Sequence, residues 1–296
     1  MLPTEKTSPL VNLNDYTILI YGAAKVGKST FASQAGKVLF MATEPGLNAL
    51  SVYKVDITKW EDILETFAEL AATKHEFTTV VIDTVDNAYL LCADWVCRKN
   101  NVKHESEMEY GKGFGFVQRE FMRVITRAAQ FNFGLILVSH AREKEVVVKS
   151  IKTIKTTTTL PDKVNEKLMG FVDMILYCDI DAALDKSGAV TERRVIRTKP
   201  SKNYDAGDRT NRLTEVVDLN YSEFKKVFEA GEPKTEVVEV KAPDPKTPVS
   251  KEPAKPKTQS PTKNNGAELP LANPPVPNYP GLPLGQVPKT TDTKGV

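Results

Sequence analysis

Tyr21-Gly22-Ala23-Ala24-Lys25-Val26-Gly27-Lys28-Ser29-Thr30 is the stretch on which the reading of the whole chain turns. The apolar run Tyr16–Ile20 precedes it, and Phe31-Ala32-Ser33-Gln34-Ala35, which can start a helix, follows it. Gly22-x-x-x-x-Gly27-Lys28-Ser29 is the phosphate-binding loop pattern, complete and in the strand–loop–helix setting that the pattern requires. Gly22 and Gly27 let the backbone turn tightly and bring its N–H groups against phosphate oxygens with no Cβ in the way. A helix opening near Lys28 adds the positive end of its dipole. Lys28 is expected to reach the β- and γ-phosphates, and the Ser29 hydroxyl to take a Mg²⁺ position. The cradle Gly22, Ala23, Ala24, Lys25, Val26, Gly27, Lys28, Ser29 and Thr30 therefore predicts a site for a nucleoside triphosphate.

Outward from the loop, composition divides the chain of 296 residues into unequal parts. Fourteen of the nineteen prolines lie in residues 231–296, which are also rich in Lys, Thr and Glu and nearly free of large apolar residues. Such a segment cannot bury enough apolar surface to offset its ordering entropy, so a disordered Pro/Lys-rich tail is expected there. Residues 1–15 read as a polar arm and residues 16–230 as one α/β domain, long enough for a sizeable core. The net charge is only +2, so nucleic-acid binding requires a local basic patch. Cys92, Cys97 and Cys178 sit in apolar stretches and read as buried thiols without zinc-ligand spacing. With no signal peptide and no bilayer-length apolar run, a soluble cytoplasmic protein with no membrane partner is expected.

In chain order, Lys37–Met41 reads as a second strand, and Ala42-Thr43-Glu44-Pro45-Gly46 as the turn at its carboxyl end. Ligands of open α/β sheets sit at that edge. If the two strands are neighbours, Glu44 can orient or deprotonate a water attacking the γ-phosphate; as a bland alternative it is a solvated turn residue. Trp60, Ile63, Leu64, Phe67, Leu70 and Ala71 recur at helical spacing, the core stripe of an amphipathic helix over Thr58–Thr73. Phe77–Thr84 reads as a buried parallel strand ending in Asp83, which can hold Mg²⁺ opposite Ser29, with Asp86 as its competitor. A helix follows over Asn87–Arg98.

Tyr110–Phe116 alternates three glycines with Lys112, Phe114 and Phe116, the pattern of a mobile loop that stacks on nucleobases and offers a cation to the backbone. The competing reading is a helix-entry loop whose Phe residues fold into the core. Val117–Phe131 is an amphipathic helix, and Gly134–His140 a buried strand whose terminal His140 can sense the γ-phosphate. Arg142–Lys167 lacks clear periodicity and reads as a long loop, either solvated or functional. Its Arg142, Lys144, Lys149, Lys152 and Lys155, with interspersed threonines, suit phosphate contacts without sequence preference. A strand to Cys178, a hairpin around Asp185–Gly188, a return arm over Arg193–Thr198 and a last helix over Tyr221–Ala230 complete the domain.

With these pieces in order, the chain resembles the RecA-like recombination ATPases, and within them the small phage-type single-strand annealing proteins built on a shortened RecA core. The resemblance is carried by Gly22–Ser29, the Glu44 turn, Val80-Val81-Ile82-Asp83, the strand ending in His140, and Arg197-Thr198-Lys199-Pro200-Ser201-Lys202. It implies a mostly parallel twisted sheet flanked by helices, with ATP and Mg²⁺ as cofactors and Lys28, Glu44, Asp83 and His140 as the catalytic set. It also implies Ser29 and Asp83 at the metal, flexible DNA-binding loops over Lys99–Phe116 and Arg142–Lys167, and intersubunit sensing by Lys199 and Lys202. Where full-length members carry Gln, this chain has His140, and the paired lysines are spaced differently. The implied activity is slow, DNA-stimulated ATP hydrolysis coupled to annealing or pairing of single-stranded DNA in phage-type recombination. The implied partners are single-stranded DNA, further copies of the chain and a single-strand-binding protein. A helicase-loading or motor ATPase and a small-molecule kinase are the rival readings of the same loop.

Overall fold

The computed structural model describes residues 8–148, 151–184 and 190–231. The expected tail and Lys149 lie outside these residues, as does the turn around Asp185–Gly188. β1 (Thr17–Gly22) is buried at every position, as a strand covered on both faces and paired on both edges must be. It pairs in parallel with β5 (Gly134–Val148) on one side and β7 (Met174–Leu184) on the other. Beyond β5 come β4 (Thr79–Asp83), β2 (Val38–Ala42) and β3 (Tyr53–Asp56), all parallel. Beyond β7, β8 (Val190–Arg197) and β10 (Val216–Asp218) add antiparallel. The order is β10-β8-β7-β1-β5-β4-β2-β3, with β6 (Ile151–Thr158) pairing β5 and β9 (Gly207–Asp208) pairing β7 off that path.

Successive strand residues point to opposite faces, and the sequence fills both. Leu19, Met41, Val80, Ile82, Leu135 and Leu137 face a core closed by α2 (Trp60–Ala72), α3 (Val85–Lys99), α4 (Lys112–Ala128) and α5 (Asp162–Phe171). Ile18, Ile20, Phe40, Val81, Ile136 and Val138 face a second core under α1 (Lys28–Ala32) and α6 (Tyr221–Ala230). The architecture is the expected α/β fold, a mostly parallel sheet flanked by helices. The strand that carries the phosphate loop and the strand that ends in Asp83 are separated by one strand, the one that carries His140. At the amino end, Leu13 is buried and the Asn14 backbone packs on Gly134, so the last residues of the polar arm are docked on the sheet.

Two segments differ from expectation. Tyr110–Phe116 is not a mobile loop throughout, because α4 starts at Lys112 and runs through both later glycines. Gly113 is buried against Glu105, where a Cβ would lie 2.1 Å from the Glu105 carbonyl oxygen; this glycine serves close packing and does not break the helix. Arg142–Lys167 is not an irregular loop either. β5 continues past His140 and pairs antiparallel with β6 from Ala141↔Thr158 outward to Val148↔Ile151, and α5 follows. The β-branched residues Val146, Val147, Thr153, Ile154 and Thr156–Thr158 favour this ribbon.

Candidate functional site

The carboxyl edge of the parallel strands gathers the site. In register, Gly22 lies beside His140 on β5 and beside Cys178 on β7. Gly22 is required there, since a Cβ would fall 2.5 Å from the Cys178 carbonyl oxygen. Gly27 has φ +117°, in the left-handed region that favours glycine. Cys178 is fully buried under the loop, and burial pushes its thiol up to about 12. Cys92 and Cys97 are likewise buried and free.

Lys28 is 6% exposed, and its Nζ donates to the carbonyls of Gly22 (3.0 Å) and Ala23 (2.9 Å). Burial lowers the Lys28 ammonium from its ordinary value, against the opposing effect of Cys178, Asp83, Asp86 and Glu44. The Ser29 hydroxyl donates to Asp83 Oδ2 at 2.6 Å, so the two residues expected at the metal meet across the sheet edge. Burial raises the Asp83 carboxyl; the Ser29 hydrogen bond and Lys28 oppose that shift, and Glu44 adds to it.

Glu44 reaches the site by an unexpected route. β2 is not the neighbour of β1; β5 and β4 lie between them. The turn after β2 is instead tied to the end of β4. The Thr43 N–H donates to the Asp83 carbonyl at 2.8 Å, and the Thr84 N–H donates to the Thr43 hydroxyl at 2.7 Å. Glu44 then projects along the edge, with Oε1 3.2 Å from His140 Nε2 and Oε2 accepting from Asn87 Nδ2 at 3.1 Å. Asp86, the competing carboxylate, is engaged on β5. It accepts from the Ser139 hydroxyl and the His140 N–H, both at 2.8 Å, and so fixes the end of β5. Asn87, Ser139 and the role of Asp86 were not legible as site features. The available signal was their position: Asp86 and Asn87 stand in the first turn of a helix leaving the ligand edge.

The donor set fits Mg²⁺ with a nucleoside triphosphate. The backbone cradle has no Cβ at Gly22, a buried lysine overhangs it, and a hydroxyl–carboxylate pair stands at one side. The Thr84 hydroxyl beside Asp83 is buried without a hydrogen-bond partner, a place for water of the metal shell. Among the described residues no group of three or more His, Cys, Asp or Glu forms a closed metal cage. Mg²⁺ itself keeps most of its waters and takes few protein ligands beside the phosphates. A bound Mg²⁺ would supply neutralisation of phosphate charge there. In such a complex Lys28 would bind phosphate oxygens, Ser29 and Asp83 would hold the metal, and Glu44, whose two oxygens face His140 and Asn87, would be the base-capable group.

Residues 14–210, well over half of the chain, match the family described as AAA domain. The chain belongs to this AAA-domain family. It is 25% identical over 194 residues to the SPbeta prophage-derived uncharacterized protein YorG of Bacillus subtilis strain 168, across 63% of this chain and 55% of that one. The chain thus spans about half the length of the curated relative it matches. Partial likeness extends to the KaiC-like protein PH0186 of Pyrococcus horikoshii OT3 (TM-score 0.36, 14% identity, 62% of this chain and 79% of that one). It extends also to an ATPase of the type III secretion system of pathogenic bacteria (TM-score 0.37, 12% identity, 56% and 52%). The chain carries a phosphate loop on the α/β fold of its AAA-domain family. No helix among the described residues is long and apolar enough to cross a membrane.

The remaining candidates are scattered. Lys112 opens α4 with its Nζ 5.8 Å over the ring of Tyr110, which is 96% exposed, and Phe114 is half exposed. Phe116 is also partly exposed, so it does not fold into the core. Arg142 is a brace: it donates to the Thr158 carbonyl (3.0 Å), the Leu160 carbonyl (3.1 Å) and Asp162 (2.7 Å), joining β6 to α5. Lys144 and Lys155 are directly opposed across the ribbon, and each is neutralised at 2.5 Å, by Asp162 and Asp205 respectively. Lys152 pairs with Glu145 at 2.9 Å. Lys199 lies 3.6 Å from Asp208, which pairs with the first residue of β7, the end of that strand away from the phosphate loop. Lys202 is exposed.

The raised Asp83 value has a stability consequence. Its folded value lies above its unfolded one, so the stability it contributes is present below the unfolded value and is lost as pH rises through the folded value. At neutral pH its charge is therefore a cost. Asp83→Asn is expected to leave the melting temperature at pH 7 unchanged or raised without nucleotide. The Mg²⁺ needed for half-maximal ATP binding should rise on the order of tenfold, the loss of one charge-assisted contact. Thermal melts and Mg²⁺ titrations check both, and a lower melting temperature would contradict the assignment.

Proposed function

We propose that the protein is an ATP-hydrolysing, single-strand-binding protein that promotes annealing or pairing of DNA strands in phage-type recombination. One observation carries the coupling. β5 ends its buried part at His140, which contacts Glu44, and continues unbroken into the projecting β5–β6 ribbon. Movement of His140 with the state of the γ-phosphate is thereby movement of the ribbon base. A second tie supports it: the hydroxyl of Tyr21, next to Gly22, accepts from Asp205 N at 2.9 Å and donates to its carbonyl at 2.5 Å. The same segment pairs with β6, where the Thr156 N–H donates to the Asn203 carbonyl at 2.7 Å.

Single-stranded DNA is the proposed ligand of the ribbon. Lys144 and Lys152 exchange their exposed intrachain ion pairs, each worth about 0–1 kcal/mol, for phosphates, and Lys155 exchanges its half-buried pair with Asp205. The prophage origin of the relative YorG supports the recombination setting. Lys112 and Phe114 are proposed to add a cation and an aromatic face, and further copies of the chain to complete the site. In this reading residues 16–230 form the working unit and the segment after it tethers a partner. ATP turnover is expected to rise severalfold on adding single-stranded DNA at low salt, and equal rates with and without DNA would count against the proposal. A protein partner, as for a helicase loader, is favoured by the exposed apolar Val147 (60%) and Ile154 (61%) of the same ribbon. Retention of a replicative helicase without affinity for bare single strands would select that reading instead.

A further inference from the structure

The two sides of the phosphate loop differ. On the β5–β4 side stand Ser29, Asp83 and Glu44, which fix where the metal and the terminal phosphates belong. On the other side, β8 rises past the sheet edge two strands from β1. Arg194 on β8 pairs with Ile180, two residues beyond the Cys178 that flanks Gly22. Arg194 stands on the same face of β8 as Ile196, the face covered by α1 and α6. A Cβ at Gly27 would lie 3.6 Å from Arg194 Nη1 and 3.3 Å from Leu219 Cδ2. The Leu219 N–H donates to the Arg194 carbonyl at 2.9 Å, so the two residues are positioned together.

The charge pattern of the strand singles out Arg194. Arg193 pairs with Asp181 and Asp218, and Arg197 pairs with Asp179 and Asp181. Among the described residues Arg194 has no carboxylate partner, although it is exposed and borders the loop. An unneutralised guanidinium is a planar fork of donors suited to phosphate oxygens. Because the terminal phosphates belong to the opposite side, the oxygens within its reach are those nearest the nucleoside.

We propose that Arg194 binds the α-phosphate of the nucleotide held on its own chain, with Leu219 lying against the ribose and base. This deepens the ATPase reading and rests on it. The test is titration of the full chain with ADP and with ATP in the presence of Mg²⁺, for wild type, Arg194→Ala, Arg194→Gln and Arg194→Lys. Arg194→Ala and Arg194→Gln should weaken both nucleotides by the same factor, about tenfold or more for the loss of hydrogen bonds to a charged group. Arg194→Lys should recover part of the loss. The melting temperature without nucleotide should be unchanged, and if Arg194→Ala alone is unstable, Arg194→Gln decides. Unchanged ADP affinity overturns the assignment, whether or not ATP turnover falls, because a residue serving the γ-phosphate or a neighbouring subunit would leave ADP binding intact. A wild type that binds neither nucleotide overturns the ATPase reading itself and this assignment with it.

Discussion

Lys28→Ala is expected to lower ATP affinity by about 100-fold or more while the protein still folds. The Lys28 ammonium is buried and holds two loop carbonyls, Gly22 and Ala23, at 3.0 and 2.9 Å. Those bonds hold the amine at the mouth of the cradle, where phosphate oxygens are stronger acceptors than neutral carbonyls. Charge-assisted hydrogen bonds are worth about 1.5–3 kcal/mol each, so losing two of them is a factor of about 100 or more. The fold is spared for a reason the site itself supplies. Burial disfavours the Lys28 charge, so removing it relieves a desolvation cost, and of the two carbonyls that of Ala23 belongs to an exposed residue. Calorimetric titration with ATP and a thermal melt check the two halves. Retained affinity would contradict the site assignment.

Glu44→Gln is the second large effect, and it falls on turnover alone. Glu44 touches neither Lys28 nor the Ser29–Asp83 pair; its two oxygens face His140 and Asn87. The amide keeps the size and one acceptor but cannot take a proton from water. General-base assistance is worth about 10²–10⁴ in rate. ATP turnover should fall by that order with ATP affinity unchanged within a few-fold. A variant turning over within a few-fold of wild type would remove Glu44 from the chemistry and leave His140 or water alone in that place.

Much of this was legible in the sequence, for physical reasons that differ by element. The phosphate loop is read directly because Gly22, Gly27, Lys28 and Ser29 each answer to a local requirement of phosphate binding. β4 and α2 are read because burial on both faces, or on one face, leaves a clear pattern in the apolar residues. β3 was missed because Tyr53, Lys54 and Asp56 are exposed at the sheet edge, leaving no alternation to detect. The ribbon was missed for the same cause: it projects from the sheet, and lysines and threonines occupy positions that a core strand would fill with apolar residues. Gly113 misled because a buried packing glycine and a loop glycine look alike in sequence. Asn87 and Arg194 escaped notice because their meaning lies in proximity, to Glu44 and to Gly27, that only the folded sheet creates.

The departures bear on function as well. Four expected DNA contacts among the described residues, Arg142, Lys144, Lys152 and Lys155, are engaged within the chain. Arg142 is committed to joining β6 and α5, so its substitution should loosen the ribbon base and not merely remove a phosphate contact. In the proposed complex phosphate would displace the exposed pairs of Lys144 and Lys152 and the half-buried Lys155–Asp205 pair, so binding would be salt-sensitive and sensitive to the position of Asp205, the residue tied to Tyr21.

The central claim, that the nucleotide on the phosphate loop sets the affinity of the ribbon for single strands, is tested most directly by fluorescence anisotropy of a labelled oligonucleotide. The wild-type protein is titrated at low salt with Mg²⁺ and either a non-hydrolysable ATP analogue or ADP. Tighter binding with the analogue than with ADP, by about tenfold for a coupling of about 1.4 kcal/mol, is the predicted result. Equal affinity in the two states would contradict it.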